Sequence, residues 1–211
     1  MYRIFTPRPL SPQQRYALLK RVFDLTFSLL VVVLVLSWLV PVLGLLLKLE
    51  SRGPVFFKQL RTGKNGKPFY CLKFRSMRLS SDADSRQASR GDNRITRIGA
   101  FIRKTSIDEL PQFINVLRGD MSVVGPRPHM LQHTHEYAQR IAGFMDRHAV
   151  TPGITGWAQV KGYRGETREL QAMEKRVQAD IWYLRNSSFQ LDVQIVGLTI
   201  VQALRGHENA F

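Results

Sequence analysis

The sequence predicts an α+β fold, mostly helical with a small β-hairpin, held at a membrane by an N-terminal apolar helix and by interfacial amphipathic helices. Three observations carry that expectation: a long uncharged apolar run near the N-terminus, two strand-like segments about an Asn-Gly turn, and helical periodicity through much of the remainder. The 211 residues suffice for one core with an appended element. We divide the chain into residues 1–50, an N-terminal segment with the membrane helix, and residues 51–211, a compact cytosolic domain with membrane-associated C-terminal helices.

The formal net charge of +15 calls for an anionic neighbour, whether nucleic acid, lipid headgroups or a phosphorylated substrate. A single cysteine, Cys71, rules out an internal disulfide and suits a reducing compartment.

The run "LTFSLLVVVLVLSWLVPVLGLLL", residues 25–47, carries no charge and is long enough as a helix to cross a hydrocarbon layer roughly 30 Å thick. It exceeds the apolar core of a signal peptide and no small-x-small cleavage site follows it. Its flanks are both basic: Arg3, Arg8, Arg15, Lys20 and Arg21 precede it, and Lys48, Arg52, Lys58, Arg61 and Lys64 follow. A span is oriented by an excess of Lys and Arg on one side, and here the sides are matched. Pro41 lacks an N–H and would clash with the carbonyl of Ser37, so Ser37 and Pro41 mark an expected break in the helix. A helix that enters and returns satisfies both observations, and a proline-kinked span is the competing reading.

Next, "PVFFKQL" and "PFYCLKF" flank "RTGKNGK" and read as a two-stranded hairpin. Residues 80–94, "SSDADSRQASRGDNR", are small, charged and aperiodic, the pattern of a mobile loop. "ITRIGAFIRK" resumes as a basic amphipathic helix with Ile95, Ile98 and Ile102 on one face.

The stretch "KTSIDELPQFINVLRGDMSVVGPRP", residues 104–128, holds two adjacent carboxylates, Asp108 and Glu109. One reading is structural: Ser106 with Glu109 fits a capping box, and Pro111 is tolerable in a first turn. The other is chemical. A helix over residues 107–117, closed by Gly119, puts Asp108, Gln112 and Asn115 on one polar stripe while Ile107, Leu110, Ile114 and Leu117 bury the opposite side. Consecutive residues on a helix diverge by roughly 100°, which lets one carboxylate attack while the other holds a metal. Arg103 and Lys104 precede the pair, and Arg127 sits between Pro126 and Pro128, where a following proline confines its backbone. Guanidinium groups, carboxylates and Mg²⁺ together suit phosphoryl transfer from a diphosphate.

With "GPVFFKQLRTGKNGKPFYCLKFRSM" before it and "TPGITGWAQVKGYRGET" after it, the stretch "IRKTSIDELPQFINVLRGDMSVVGPRP" resembles the monotopic polyprenyl-phosphate phosphoglycosyl transferases, or bacterial sugar transferases, over residues 20–211. The resemblance implies a monotopic membrane protein with an N-terminal re-entrant helix broken at Pro41 and a catalytic domain at the cytosolic face of the bacterial inner (cytoplasmic) membrane. It implies that Asp108 attacks the β-phosphate of a UDP-sugar and releases UMP, that Glu109 helps bind Mg²⁺, and that a polyprenyl phosphate, usually undecaprenyl phosphate, then takes the sugar 1-phosphate from the aspartate. Arg103 and Arg127, the latter framed by Pro126 and Pro128, are its substrate-binding candidates. The tail is most similar to the branch that transfers glucose 1-phosphate in exopolysaccharide initiation, with galactose or N-acetyl-hexosamine phosphate as alternatives. Because that branch usually carries an N-terminal extension, the chain reads as a minimal form or a fragment. Thr151 and Lys161 depart from the family pattern. Membrane lipids are implied partners, and a second copy of the chain is left open.

The C-terminal stretch "ADIWYLRNSSFQLDVQIVGLTIVQALRG" places Trp182 and Tyr183 where an interfacial belt would sit and interrupts an apolar face with Asp192, Gln194 and Gln202, so it is expected on the membrane or against the core. His129, His133 and His135 lack the companions of a zinc motif, Trp157 reads as a core or nucleotide-stacking side chain, and "GKNGK" lacks the spacing of a phosphate loop. A membrane-tethered nucleic-acid-binding protein, a lipid-binding scaffold and a UDP-releasing glycosyl transferase are the other classes; no nucleic-acid-reading module accompanies the charge, so nucleic acid is not an expected partner.

Overall fold

The computed structural model describes residues 11–79, 92–163, 165 and 170–205. Most of the expected loop at 80–94, the basic residues Arg3 and Arg8 and the last six residues lie outside that set.

Ser11 starts the first helix through a complete capping box. Its hydroxyl accepts from the Gln14 N–H, the Gln14 side chain accepts from the Ser11 N–H, and Pro12 occupies the first turn, where its missing donor is harmless. The helix α1 (Pro12–Val31) passes through a π turn at Val32–Leu36 into α2 (Ser37–Glu50), giving 39 continuous helical residues, long and apolar enough to cross a membrane. The expected break at Ser37 and Pro41 is therefore replaced by an uninterrupted helix. The departure from α geometry comes just before them, with the Ser37 N–H reaching back to Val32 and its hydroxyl donating to the Val33 carbonyl at 2.6 Å.

One face of this helix packs inward through Leu36, Leu39, Leu43 and Leu47, while Leu18, Val22, Leu25, Leu29, Val33, Val42, Leu45 and Leu49 lie exposed along the other. Polar contacts tie both halves to the same domain. Lys20 donates to the Val124 carbonyl and pairs with Asp192 at 2.9 Å, Arg21 donates to the Val116 carbonyl, and Asp24 accepts from the Val123 N–H. At the other end Arg75 donates to the Leu47 carbonyl, and Glu50 accepts from the Arg97 and Ile98 N–H groups.

The predicted hairpin is present: β1 (Phe56–Thr62) pairs antiparallel with β2 (Pro68–Phe74), Gln59 opposite Cys71. Asn65 and Gly66 take left-handed conformations, φ 56° and 75°, as an Asn-Gly turn demands. Thr96 caps α3 (Arg97–Lys104), whose Ile98 and Ile102 pack with Phe74 and the Leu39, Leu43 and Leu47 stripe, so this face meets core and not lipid.

The expected single helix over residues 107–117 is two pieces, a 3₁₀ turn at Ile107–Glu109 and then α4 (Gln112–Arg118), with Pro111 at the junction and Gly119 closing it at φ 92°. β3 (Ser122–Val124) pairs in parallel with β4 (Gly153–Thr155). A Cβ on Gly153 would meet the Gly125 backbone N at 2.1 Å, so glycine is required for this approach. Around it stand α5 (Leu131–Arg140), a 3₁₀ segment Phe144–Ala149, α6 (Trp157–Val160), α7 (Leu170–Asn186) and α8 (Phe189–Arg205).

The C-terminal helices are expected on the membrane or against the core, and Tyr183 and Asp192 take the core. Tyr183 is buried and donates to Asp192 at 2.6 Å, while Asp192, 1% exposed, also receives Tyr16 and Lys20, so these residues fasten α1 to α7 and α8. Trp182 is partly exposed and stacks on Trp157, ring centroids 4.6 Å apart, with Lys161 lying 4.5 Å over the Trp157 ring. These contacts take up the Trp157 ring that the sequence offered to a nucleotide.

Candidate active site

The turn that carries Asp108 and Glu109 is set by Ser106, whose φ of 58° is unusual for a residue with a side chain. That left-handed step reverses the chain after α3, and the Glu109 N–H closes the 3₁₀ turn on the Ser106 carbonyl. Ser106 therefore does not form the capping box its spacing with Glu109 suggests: it makes no side-chain cap, and the Glu109 carboxylate is directed elsewhere.

Glu109 is gripped by two cations. Arg127 reaches it with both guanidinium nitrogens, at 2.6 and 3.2 Å, and Lys73 donates to it at 2.8 Å. Asp108 is treated differently. It is 6% exposed and accepts no hydrogen bond from any described residue. Burial pushes its carboxyl above the usual aspartate range, with the neighbouring Glu109 pushing the same way and Lys73, Arg103 and Arg127 opposing. The Glu109 carboxylate holds the Arg127 guanidinium firmly protonated. The outcome is one carboxylate tied down beside another left with free lone pairs.

The Pro-Arg-Pro turn is rigid for a reason beyond its prolines. Its three successive carbonyls each accept from outside: Pro126 from the Gly153 N–H, Arg127 from Arg147, and Pro128 from Arg61. Pro126 and Pro128 are buried and frame Arg127. Arg147, 1% exposed, also pairs with Asp180 of α7 at 2.6 Å and contacts His129, 2.7 Å from Nδ1. Burial among arginines pushes His129 well below the usual imidazole range, which keeps it neutral.

Arg103 lies at the rim, within reach of Ser76 at 3.5 Å, and favours the charged form of Asp108. The other members of the predicted polar stripe serve the fold: Gln112 is buried, and Asn115 accepts from the Leu72 N–H and donates to the Tyr70 carbonyl, fastening α4 to β2. Sequence reasoning missed Lys73, Arg61, Arg147 and Asp180. Lys73 carried a usable signal, because strand alternation puts it on the opposite face from buried Leu72 and Phe74. The other three act through pairings across 33 to 67 residues, which no local pattern contains.

A long apolar helix with an exposed lipophilic face, joined to a domain whose buried carboxylate pair lies among converging cations, defines a membrane-associated protein with a charged site in its polar domain. The chain belongs to the bacterial sugar transferase family, whose model matches residues 15–206. It is 51% identical over 193 residues to UDP-glucose:undecaprenyl-phosphate glucose-1-phosphate transferase of Escherichia coli (strain K12), covering 91% of this chain and 41% of that protein. A protein of the same description from Caulobacter vibrioides is 45% identical, over 99% of this chain and 79% of its own length. A UDP-N-acetylgalactosamine-undecaprenyl-phosphate N-acetylgalactosaminephosphotransferase of Aeromonas hydrophila is 44% identical, over 93% and 46%. Against three of the glucose-1-phosphate transferases it matches, the chain spans 41%, 34% and 39% of their lengths.

Proposed function

We propose that this chain transfers a sugar 1-phosphate, glucose 1-phosphate first among candidates, from a UDP-sugar to undecaprenyl phosphate, releasing UMP. The observation that carries the chemistry is Asp108, buried and without a hydrogen bond from any described residue, beside a Glu109 already neutralised by Lys73 and Arg127. A desolvated carboxylate without donors keeps its lone pairs for attack, whereas a paired one does not. The sugar rests on the glucose-1-phosphate transferases among the relatives, with N-acetylgalactosamine phosphate as the second reading.

An Asp108 carboxylate oxygen bonds to the sugar-linked β-phosphorus, and the bond from that phosphorus to the bridging oxygen breaks, so UMP leaves with the electron pair. A phosphate oxygen of the polyprenyl phosphate then attacks the same phosphorus, and the aspartyl bond breaks to restore the carboxylate. Arg127, Lys73 and Arg103 offset the phosphate charge in both displacements. Mg²⁺ is commonly held by one or two carboxylates together with substrate phosphates; Glu109 is the carboxylate that would hold it, which requires the Lys73 or Arg127 pairing to give way when the diphosphate binds. When bound, the ion supplies charge neutralisation on the diphosphate.

Labelled UMP should exchange into UDP-glucose with no lipid acceptor present, and EDTA should stop the exchange until Mg²⁺ is restored. Exchange undiminished in EDTA would remove the metal from the account, and no exchange at all would remove the covalent intermediate.

The same reading places the chain on the cytosolic face of the inner membrane with its long helix re-entrant. Support comes from the contacts of Lys20, Arg21 and Asp24 at one end and of Leu47 and Glu50 at the other with one polar domain, which cannot lie on both sides of a bilayer. A tag at residue 1 should resist protease added outside intact cells, and its cleavage would mean a true span.

A further inference from the structure

Beside the carboxylate pair, a cleft of about 240 Å³ opens between α1, the start of α4 and α8. Thr105, Ser106 and Glu109 line it on the side of the reaction centre, and Phe27, Phe113, Val196 and Ile200 form much of the rest. We infer that this cleft holds the first isoprenoid units of the lipid acceptor, with the acceptor's phosphate at the Glu109 end. The inference rests on the proposed function and adds where the acceptor's chain lies.

Three features favour a branched hydrocarbon. Four of the polar side chains in the wall spend a donor on the protein's own backbone: Thr199 on the Ile195 carbonyl, Gln202 on Val160, Gln159 on Ile154 and Thr105 on Phe101. Each threonine hydroxyl has spent its one donor and each glutamine amide one of its two, so a sugar or nucleobase would find few donors from these four, whereas a hydrocarbon needs none. The size is right as well, since an apolar cavity of roughly 150 Å³ takes a six-carbon ring, and this one is larger and open. Finally, Ile200 both lines the cleft and lies half exposed, next to exposed Val201 and on the same helix as exposed Val193, so the cleft is continuous with an apolar surface. A chain entering there from lipid reaches Glu109 in the cleft wall, and the cations paired with that carboxylate, Lys73 and Arg127, are the groups beside the cleft that would match an anionic head.

The direct test is photo-crosslinking in nanodiscs with a short polyprenyl phosphate carrying a diazirine on its first isoprene units. Label is expected on residues 196–203 or on Phe113, competed by unlabelled polyprenyl phosphate and not by phosphatidylglycerol. Label confined to other segments, or competed equally by phosphatidylglycerol, overturns the assignment. A kinetic arm uses Ala203→Trp, a bulky group at an exposed position on the cleft wall. Acceptor KM should rise about tenfold or more through lost apolar contact, with UMP exchange into UDP-glucose retained. An unchanged acceptor KM, or a matching loss of exchange, overturns the placement. If the unmodified protein shows no exchange, the proposed reaction has failed, and the crosslinking pattern still decides what the cleft holds.

Discussion

Asp108→Asn is expected to lower turnover by about a thousandfold or more while leaving the fold at least as stable as before. The two halves of that expectation come from the same geometry. Asparagine keeps the shape of the side chain but lacks the anionic oxygen that bonds to phosphorus, so no aspartyl intermediate forms. Asp108 is buried without a hydrogen-bond donor among the described residues, and its carboxyl lies above the usual range because burial disfavours the charge. A raised folded-state value means that the stabilising contribution is full below the unfolded value and is lost as pH rises through the folded one. Above the ordinary carboxylate range the buried Asp108 is therefore a cost to folding, and the neutral amide removes it. Thermal unfolding at neutral pH should give a Tm for the variant equal to or above that of the parent. In the parent, UMP exchange should fall on acidification at a pH above the ordinary carboxylate range, as the nucleophile takes up its proton. A variant that loses activity together with its Tm would make Asp108 a structural residue.

Asp180→Asn should produce the opposite pattern, a large loss of stability with activity lost through a residue it does not touch. Arg147 and Asp180 are 1% and 2% exposed, and burial pushes the Asp180 carboxyl up even against the neighbouring guanidinium. A pair of this kind contributes little net stability, but removing its anionic member strands a buried cation, a loss of about 3–5 kcal/mol. Arg147 also donates to the Arg127 carbonyl, so the Pro-Arg-Pro turn loosens with it and the grip on Glu109 weakens. Denaturant unfolding should show the lost stability, and the folded fraction at low temperature should show weakened donor binding that Asp180→Glu partly restores. A variant with unchanged unfolding and unchanged donor KM would contradict the anchoring role.

Local chemistry was legible in the sequence where local forces decide the outcome. The hairpin followed from strand alternation about Asn65-Gly66, and the end of α4 followed from Gly119, because turn residues with left-handed backbones are specified within a few positions. Asp108, Glu109 and Arg127 were identified as one group, and the structure brings them together. The capping box was misleading because its spacing is satisfied while Ser106 adopts a left-handed conformation, which suits the end of a helix and not an N-cap. Tyr183 was placed at an interface by its type, yet its hydroxyl faces a buried aspartate nine residues on. The break at Pro41 was expected from a missing N–H, yet the helix continues through it, and a π turn lies earlier, at Val32–Leu36. Lys73, Arg61, Arg147 and Asp180 stayed hidden because tertiary packing alone makes them neighbours.

The central claim is that Asp108 accepts a sugar-bearing phosphate, and the most direct measurement is the nucleotide released when the purified protein, Mg²⁺, UDP-glucose and undecaprenyl phosphate are combined. The account predicts UMP, formed by the parent and not by Asp108→Asn, with glucose and phosphate travelling together onto the lipid. Release of UDP would contradict it, because the sugar would then have moved alone and the aspartate would have no phosphorus to attack.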